Sequence, residues 1–223
     1  MFMKFMKKFI TTIIVIISCA IASSAQYKDW AKFDRYKRAN TQITVKPKAV
    51  FMGDSITDNW AKMDEGFFTS NNFIGRGIGG QTTSHMLVRF RKDVLELSPK
   101  YVVILAGTND IALNNGFISL DNILGNIKSM CELAKLHKIK PILCSVLPAD
   151  KYRWRPELKP AEDIVKLNEK IKEYAISEKI PFVDFHSILK NDNGGLSEQY
   201  AADGVHPTIE CYKIMEDIIL KYL

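Results

Sequence analysis

The segment Tyr101–Asp110 reads YVVILAGTND. Its first six residues are apolar, three β-branched side chains stand in a row, and a polar turn begins at Gly107. A short apolar run without alternation is typical of a strand buried on both faces, as in a parallel sheet. Similar runs occur at four other places: Ala49–Met52, Asn72–Ile74, Pro141–Leu147 and Pro181–Phe185. We therefore predict a five-stranded, mainly parallel sheet.

Helical patterns fill the gaps between these runs. Apolar residues recur at helical spacing, with Lys and Glu opposite them, in four segments: Met86–Leu97, Leu120–Ala134, Ile164–Tyr174 and Ile209–Tyr222. The alternation of strands and helices predicts an α/β fold, a flavodoxin-like three-layer α/β/α sandwich with right-handed crossovers, as a single domain over residues 26–223. In such folds, ligands bind beyond the carboxyl ends of the strands. The residues that follow each strand are therefore the candidates for function.

Residues 1–25 have the pattern of an export signal. Lysines in the first eight residues precede the apolar run Phe9–Ile17, and Ser23 and Ala25 place small side chains before a cleavage site. The run is shorter than the ~20 residues of a membrane-spanning helix. We expect a cleaved signal peptide, a periplasmic or extracellular protein, and no transmembrane span in the mature chain. The alternative is a lipoprotein acylated at Cys19, because the four residues ending there resemble a lipobox.

Composition excludes several classes of protein. The 223 residues are 47% hydrophobic and 25% charged, which excludes disordered, collagen-like and coiled-coil chains. Much of the net charge of +6 comes from lysines in the predicted signal, so we expect no nucleic-acid partner. No Cys-x-x-Cys or His-x-x-His motif occurs, so we expect neither a metal nor a cofactor. Cys131, Cys144 and Cys211 resemble small buried hydrophobic residues, and any pairing among them stays open.

Polar, glycine-rich segments follow three strands and precede the last helix. They are Gly53–Thr57, Gly75–Thr82, Gly107–Asp110 and Asp203–Pro207. At one edge of a sheet, these segments would bring together a hydroxyl, backbone donors, a carboxamide and a histidine with a nearby carboxylate. This set of groups is typical of acyl transfer through a serine nucleophile.

The four segments resemble the ordered sequence blocks of the GDSL (SGNH) hydrolase family. The blocks are Gly-Asp-Ser, Gly-Gly-Gln-Thr-Thr, Gly-Thr-Asn-Asp and Asp-Gly-x-His-Pro, and they extend from Gly53 to Pro207. The stretch GIGGQTTSHMLVRF is also similar to the catalytic subunits of platelet-activating-factor acetylhydrolase and to bacterial carbohydrate O-acetylesterases. The resemblance implies the SGNH hydrolase fold and hydrolysis of carboxylic esters.

The resemblance also implies the role of each site residue. Ser55 would be the nucleophile, His206 the general base, and Asp203 the carboxylate that orients the imidazole. The oxyanion hole would consist of the backbone N–H groups of Ser55 and Gly80 and the side-chain amide of Asn109.

Ordinary structural roles are the alternatives to these assignments. Ser55 could cap the helix that follows it, and His186, beside Asp184, is a rival to His206 because it ends the fifth predicted strand. We expect Asp54 and Asp110 to orient loop backbone rather than to react.

The substrate is less well specified. Trp154 and Arg155, in the insert Leu147–Pro160, are candidates for a wall that faces a sugar ring or an anionic group, and a solvated loop is the alternative. Trp60 is either a second wall or part of the core. We expect an esterase that removes small acyl groups, acetyl above all, from carbohydrate. The alternatives are a lipolytic enzyme of the lysophospholipase or platelet-activating-factor acetylhydrolase type and, less favoured, a glycan-binding module without activity.

Overall fold

The computed structural model describes residues 29–223. The predicted signal peptide and Cys19 lie outside these residues. None of the helices in the described part combines the length and hydrophobicity that a membrane span requires.

A five-stranded sheet forms the centre of the structure. Its strands are all parallel and lie in the order β2-β1-β3-β4-β5, the flavodoxin-like order. The strands are β1 (Ala49–Gly53), β2 (Phe73–Gly77), β3 (Tyr101–Leu105), β4 (Lys140–Cys144) and β5 (Phe182–Val183). The predicted three-layer α/β/α fold is confirmed. The fourth and fifth strands are shorter than their apolar runs, since those runs continue into buried residues beyond the sheet.

Nine α-helices lie in residues 29–223. They are α1 (Lys37–Thr41), α2 (Ser55–Met63), α3 (Glu65–Ser70), α4 (Thr83–Asp93), α5 (Thr108–Ile111), α6 (Leu120–Leu136), α7 (Ala161–Ser177), α8 (Phe185–Leu189) and α9 (Ile209–Ile219). Short 3₁₀ turns occupy Phe33–Arg35, Leu95–Leu97 and Leu220–Tyr222. Side-chain oxygens cap the first turns of five helices: those of Asp54, Asp64, Ser119, Asp184 and Thr208.

Alternate residues of the strands face two hydrophobic cores. Val50 and Met52 face the core covered by α4, α6 and α7, whereas Phe51 faces the core covered by α2, α3, α8 and α9. Trp60 belongs to the second core, is 1% exposed and donates through Nε1 to Glu216 at 3.0 Å. Of the two alternatives for Trp60, the structure confirms the core, because the indole is buried. Three cysteines are buried and unbonded: Cys131, Cys144 and Cys211.

The register of the sheet brings the loops after β1, β2 and β3 to one level. Gly53, the last residue of β1, pairs with Gly77 at the end of β2 and with Leu105 at the end of β3. The connection after β1 leads to β2 on one side, and the connection after β3 leads to β4 on the other, so a crevice opens between the ends of β1 and β3. Ser55, two residues after the end of β1, lies at this crevice.

Candidate active site

Ser55, His206 and Asp203 lie in one hydrogen-bonded row. The Oγ of Ser55 is 2.8 Å from Nε2 of His206, and Nδ1 of His206 is 2.6 Å from Oδ2 of Asp203. An imidazole with its proton on Nδ1 donates to the carboxylate and leaves Nε2 free to accept from the serine hydroxyl. The structure thus brings together three residues that are up to 151 positions apart in the sequence.

Ser55 is the first residue of α2, directly after the turn that ends β1. The N-cap of this helix is Asp54, whose Oδ1 accepts from the backbone N–H of Ile56 at 2.9 Å. The alternative in which Ser55 caps the helix is therefore wrong. Because Asp54 takes that role, the serine hydroxyl is available to the imidazole.

The Asp203–His206 turn holds its own side chains in place. The Oδ1 of Asp203 accepts from the backbone N–H groups of Val205, at 2.9 Å, and His206, at 2.8 Å. Gly204 between them has φ +80°, which suits glycine. Burial alone would raise the pKa of Asp203, but the hydrogen bonds from the His206 ring and from these two amides outweigh it and lower the pKa. The carboxylate therefore stays ionised beside the imidazole.

Gly80 and Asn109 lie in the segments that follow β2 and β3. Gly80 is exposed and has φ +78°, and a side chain there would meet no atom within 4 Å, so the backbone conformation is what requires glycine. The Nδ2 of Asn109 is 3.2 Å from Oδ2 of Asp54 and 3.1 Å from the carbonyl oxygen of Gln81. The amide group of Asn109 is thus fixed between the loops that follow β1 and β2.

Two buried carboxylates connect these loops. Besides its capping bond, Asp54 accepts from Asn109, and Asp110 accepts from the backbone N–H and the hydroxyl of Thr83 at 2.9 and 2.6 Å. Desolvation raises the pKa of Asp54 and of Asp110 from 3.8 to about 6 in each case. Both residues thus hold backbone and side chains rather than lie in line with the serine and histidine.

A buried arginine, to which the sequence analysis gave no role, lies beneath the serine loop. Arg89 donates to the carbonyl oxygen of Gly53 at 3.0 Å, to Oε1 of Gln81 at 2.5 Å and to Asp93 at 2.9 Å. Gln81 in turn donates to the carbonyl oxygen of Ala31 at 2.8 Å. In the sequence, the signal that could have indicated this network is that Arg89 and Asp93 lie four residues apart on the apolar face of α4.

The two predicted substrate residues differ in their surroundings. Trp154 is 42% exposed, stacks on Tyr152 with ring centroids 5.0 Å apart, and donates through Nε1 to Oδ1 of Asn114 at 3.0 Å. Nη1 of Arg155 is 3.8 Å from Oε1 of Glu157. Arg153, its neighbour, donates to the carbonyl oxygen of Ala202 at 2.6 Å. The insert therefore reaches the site through Trp154 and Arg153, and not through Arg155.

His186 lies apart from this row. Its ring is buried, which lowers its pKa, and its Nε2 has no hydrogen-bond partner within residues 29–223. Asp184 instead caps α8 by accepting from the backbone N–H and hydroxyl of Ser187. Of the two histidines considered, His206 is the one that meets Ser55. In the same part of the chain, no three side chains form a cluster that could hold a metal ion.

Comparison with known proteins gives a match over most of the chain. The model of the GDSL-like Lipase/Acylhydrolase family matches residues 51–214. The crystal structure of a GDSL-like lipase from Bacteroides thetaiotaomicron superposes with a TM-score of 0.84 at 48% sequence identity, over 87% of this chain and 98% of that one.

Two curated relatives match by sequence. The isoamyl acetate-hydrolyzing esterase of Saccharomyces cerevisiae is 25% identical over 205 residues, which are 79% of this chain and 85% of the esterase. The uncharacterized lipoprotein YqeF of Bacillus subtilis is 30% identical over 149 residues, or 64% of this chain. The match spans 58% of the length of that lipoprotein.

Proposed function

The chain belongs to the GDSL-like lipase/acylhydrolase family and is a hydrolase of carboxylic esters, and from this premise we propose that it is an exported serine esterase that removes small acyl groups, acetyl above all, from carbohydrate. The observation that carries the proposal is the row of hydrogen bonds from Ser55 through His206 to Asp203, at 2.8 and 2.6 Å.

In the first half of the reaction, His206 takes the proton of Ser55 as the serine oxygen attacks the ester carbonyl. Asp203 stabilises the imidazolium that results and keeps its Nδ1 proton in place. The imidazolium then protonates the departing alcohol, and the acyl group remains on the serine oxygen. In the second half, His206 activates a water molecule, which releases the acyl group as a carboxylic acid and restores the serine hydroxyl.

The negative charge on the carbonyl oxygen needs donors that already point to it. We assign this role to the backbone N–H groups of Ser55 and Gly80 and to Nδ2 of Asn109. The Asn109 amide has two N–H bonds, which donate to Asp54 and Gln81 in this structure, so one of them turns to the oxyanion when the ester reacts. The exposed Gly80 and the Asn109 amide follow β2 and β3, whose ends lie level with the end of β1 that leads to Ser55, which supports the assignment. Loss of one such donor typically costs about 100- to 1000-fold in rate.

Two observations support a small acyl group on a sugar. The yeast relative is an isoamyl acetate-hydrolyzing esterase by name, which specifies an acetate ester. Beside the site, Trp154 keeps 42% of its surface exposed while one ring face stacks on Tyr152, and such a half-open indole suits the apolar face of a sugar ring. Arg155, half-buried on the same insert and beside Glu157, is a weaker candidate for contact with the sugar or an anionic substituent.

A panel of p-nitrophenyl esters from acetate to palmitate, with acetylated xylan beside it, tests the activity and the acyl group together. We expect acetate to be the best substrate and the rate to fall steeply beyond butyrate. Ser55→Ala should lower kcat by at least about 10⁴-fold, and Ser177→Ala, on an exposed helix end, should not change it. Faster turnover of decanoate or palmitate would support the lipolytic alternative instead, and full activity of Ser55→Ala would remove the nucleophile assignment.

Export is the second part of the proposal. The lipoprotein YqeF among the relatives supports it, and residues 1–25 carry the signal pattern. The mass of the protein isolated from its native cell separates the two routes. Cleavage after Ala25 gives a soluble chain that begins at Gln26, whereas a diacylglycerol-modified Cys19 gives a heavier chain that partitions into detergent. A chain that retains Met1 would contradict export by either route.

A further inference from the structure

A side chain outside the proposed reacting groups connects Asn109 to the insert after β4. Asn114 donates through Nδ2 to Oδ1 of Asn109 at 2.6 Å, and its own Oδ1 accepts from Nε1 of Trp154 at 3.0 Å. Three side chains from three segments thus form one continuous chain of hydrogen bonds that ends at the proposed oxyanion donor. None of the four sequence blocks contains Asn114 or Trp154.

The chemistry of the three groups fixes the direction of this chain. An indole N–H can only donate, so the oxygen of the Asn114 amide must face Trp154 and its nitrogen must face Asn109. The oxygen of the Asn109 amide therefore accepts from Asn114, and the nitrogen of the same amide faces Asp54 and Gln81. Because a hydrogen bond accepted by an amide oxygen polarises the amide, it also strengthens donation from the nitrogen.

The contacts around Trp154 hold its ring independently of the indole N–H. The indole ring stacks on the ring of Tyr152 at an angle of 29° between the two planes. Tyr152 is buried and donates through its hydroxyl to the carbonyl oxygen of Thr108 at 3.2 Å. The backbone N–H of Asn114 donates to the carbonyl oxygen of Asn109 at 3.0 Å, so the main chain places Asn114 without help from its side chain. Side-chain substitutions can therefore break the relay without displacing its members.

We propose that Asn114, oriented by the indole N–H of Trp154, is a positioning residue for the oxyanion hole. The inference rests on the proposed function, in which Asn109 donates to the oxyanion. Trp154 then affects the rate of acyl transfer for every ester, including those whose alcohol does not reach its ring. The insert between β4 and α7 consequently sets kcat as well as the fit of the substrate.

Kinetics on p-nitrophenyl acetate test the relay, since this small substrate gives Trp154 little to bind. Asn114→Ala should lower kcat about 10-fold, the order of one neutral hydrogen bond, with KM within about 2-fold of the wild type. Asn114→Asp should lower kcat further, because it places a carboxylate oxygen against Oδ1 of Asn109. Trp154→Phe keeps the stack and loses only the N–H, and we expect a loss of about 3-fold in kcat.

Two additional variants make the test specific. Trp30→Phe is the matched control, since Trp30 is 58% exposed with its ring 5.4 Å from His85, and it should leave kcat unchanged. The double variant Asn114→Ala/Trp154→Phe should lose no more than Asn114→Ala alone, because both changes interrupt one chain. Additive losses, or a rise in KM at constant kcat, would overturn the relay.

Asn109→Ala separates failure of the relay from failure of the proposed function. If Asn109→Ala loses about 100-fold in kcat while Asn114→Ala and Trp154→Phe keep the wild-type kcat, the relay is wrong and the oxyanion hole stands. If Asn109→Ala itself keeps kcat, the assignment of Asn109 is wrong and the relay is overturned with it. Should Asn114→Ala fail to fold, the half-exposed Trp154→Phe decides by the same criterion.

Discussion

The loops that carry Ser55 and Asn109 lie above fully buried side chains. The turn that carries His206 is held instead by hydrogen bonds from its backbone amides to the side chain of Asp203. Beneath the first pair, Arg89 is 0% exposed and Asp54 is 1% exposed. The His206 and Asp203 side chains are 30% and 37% exposed, and they lie in the stretch between α8 and α9.

This difference separates two kinds of preorganisation. A buried charged network can form only when the helices and the sheet have packed, so the position of the serine and of the proposed oxyanion donors is coupled to global folding. The histidine turn is closed by hydrogen bonds between neighbours, which form locally, and its buried Val205 connects it to the core. We therefore expect substitutions beneath the serine to lower stability, and substitutions in the histidine turn to lower activity alone.

The largest expected effect is the loss of activity in His206→Ala. Without the base, Ser55 has no acceptor for its proton, and kcat should fall by at least about 10⁴-fold on p-nitrophenyl acetate. The thermal unfolding midpoint should stay close to that of the wild type, because the side chain is 30% exposed and makes few packing contacts. Steady-state kinetics and calorimetry on the same sample measure both.

His186→Ala is the control for that experiment. His186 is a buried residue of α8 that does not contact Ser55, so its removal should leave kcat nearly unchanged and lower the unfolding midpoint through a small cavity. A larger loss of activity in His186→Ala than in His206→Ala would show that the wrong histidine carries the role of base.

The second prediction concerns Arg89→Met. Asp93 is 1% exposed and loses its cationic partner in this variant, and a buried pair broken on one side typically costs about 3–5 kcal/mol of unfolding free energy. Urea denaturation followed by circular dichroism measures the change. Arg89→Met/Asp93→Leu should recover most of the loss, because no uncompensated charge remains. Equal stability of the wild type and Arg89→Met would contradict the role of the network.

The third prediction is a pH dependence from Asp54. Desolvation raises its pKa from 3.8 to about 6, so between these values the folded protein binds a proton more tightly than the unfolded chain. Stability from this group is therefore complete below pH 3.8 and is lost as the pH rises through about 6, to a total of about 3 kcal/mol. Relative to the wild type, Asp54→Asn should gain stability between pH 4 and 7, as measured by the unfolding midpoint.

Asp121→Asn gives the opposite sign and serves as the control. The hydrogen bond from Lys170 lowers the pKa of the exposed Asp121, so the wild-type carboxylate helps stability above its ordinary pKa, and the variant loses that small contribution as the pH rises. A difference between Asp54→Asn and the wild type that does not vary with pH would mean that burial does not perturb this carboxyl group.

The sequence predicted the elements with short-range signals and missed those that depend on distant contacts. The uninterrupted run Tyr101–Ala106 predicted β3, and the order of the glycine-rich segments predicted which loops meet at the crevice. The level ends of β1, β2 and β3 follow from parallel pairing, so the meeting of the loops that carry Ser55, Gly80 and Asn109 could be anticipated. Asp203 and His206 lie between α8 and α9, and the resemblance of Asp203–Pro207 to a family block is what related them to Ser55.

The remaining features depend on tertiary contacts without a local signal. Trp60 could be a wall or a core residue by sequence, and only its hydrogen bond to Glu216, 156 residues away, assigns it to the core. Asn114 and Trp154 are 40 residues apart, and neither pattern nor spacing relates them. In the insert, sequence favoured Arg155, whereas Arg153 is the residue that reaches the loop before Asp203.

The smallest expected effect belongs to Arg153→Ala, which tests how independent the histidine turn is. Arg153 donates to the carbonyl oxygen of Ala202, directly before Asp203, but both amides that orient the Asp203 carboxylate come from within the turn. We expect kcat/KM to fall about 2- to 3-fold and the unfolding free energy to change by less than about 0.5 kcal/mol, as is usual for an exposed side chain.

Lys159→Ala, which removes another exposed cation from the same insert, is the control for Arg153→Ala and should change neither quantity. If Arg153→Ala instead lowered kcat by 100-fold or more, the turn would need the insert to hold His206 against Ser55. The histidine side would then be coupled to the rest of the fold as the serine side is, through a surface contact in place of a buried one. A small loss of activity would mean that the contact with Arg153 contributes less than the free energy of one hydrogen bond, because the local bonds from Val205 and His206 already place the Asp203 carboxylate.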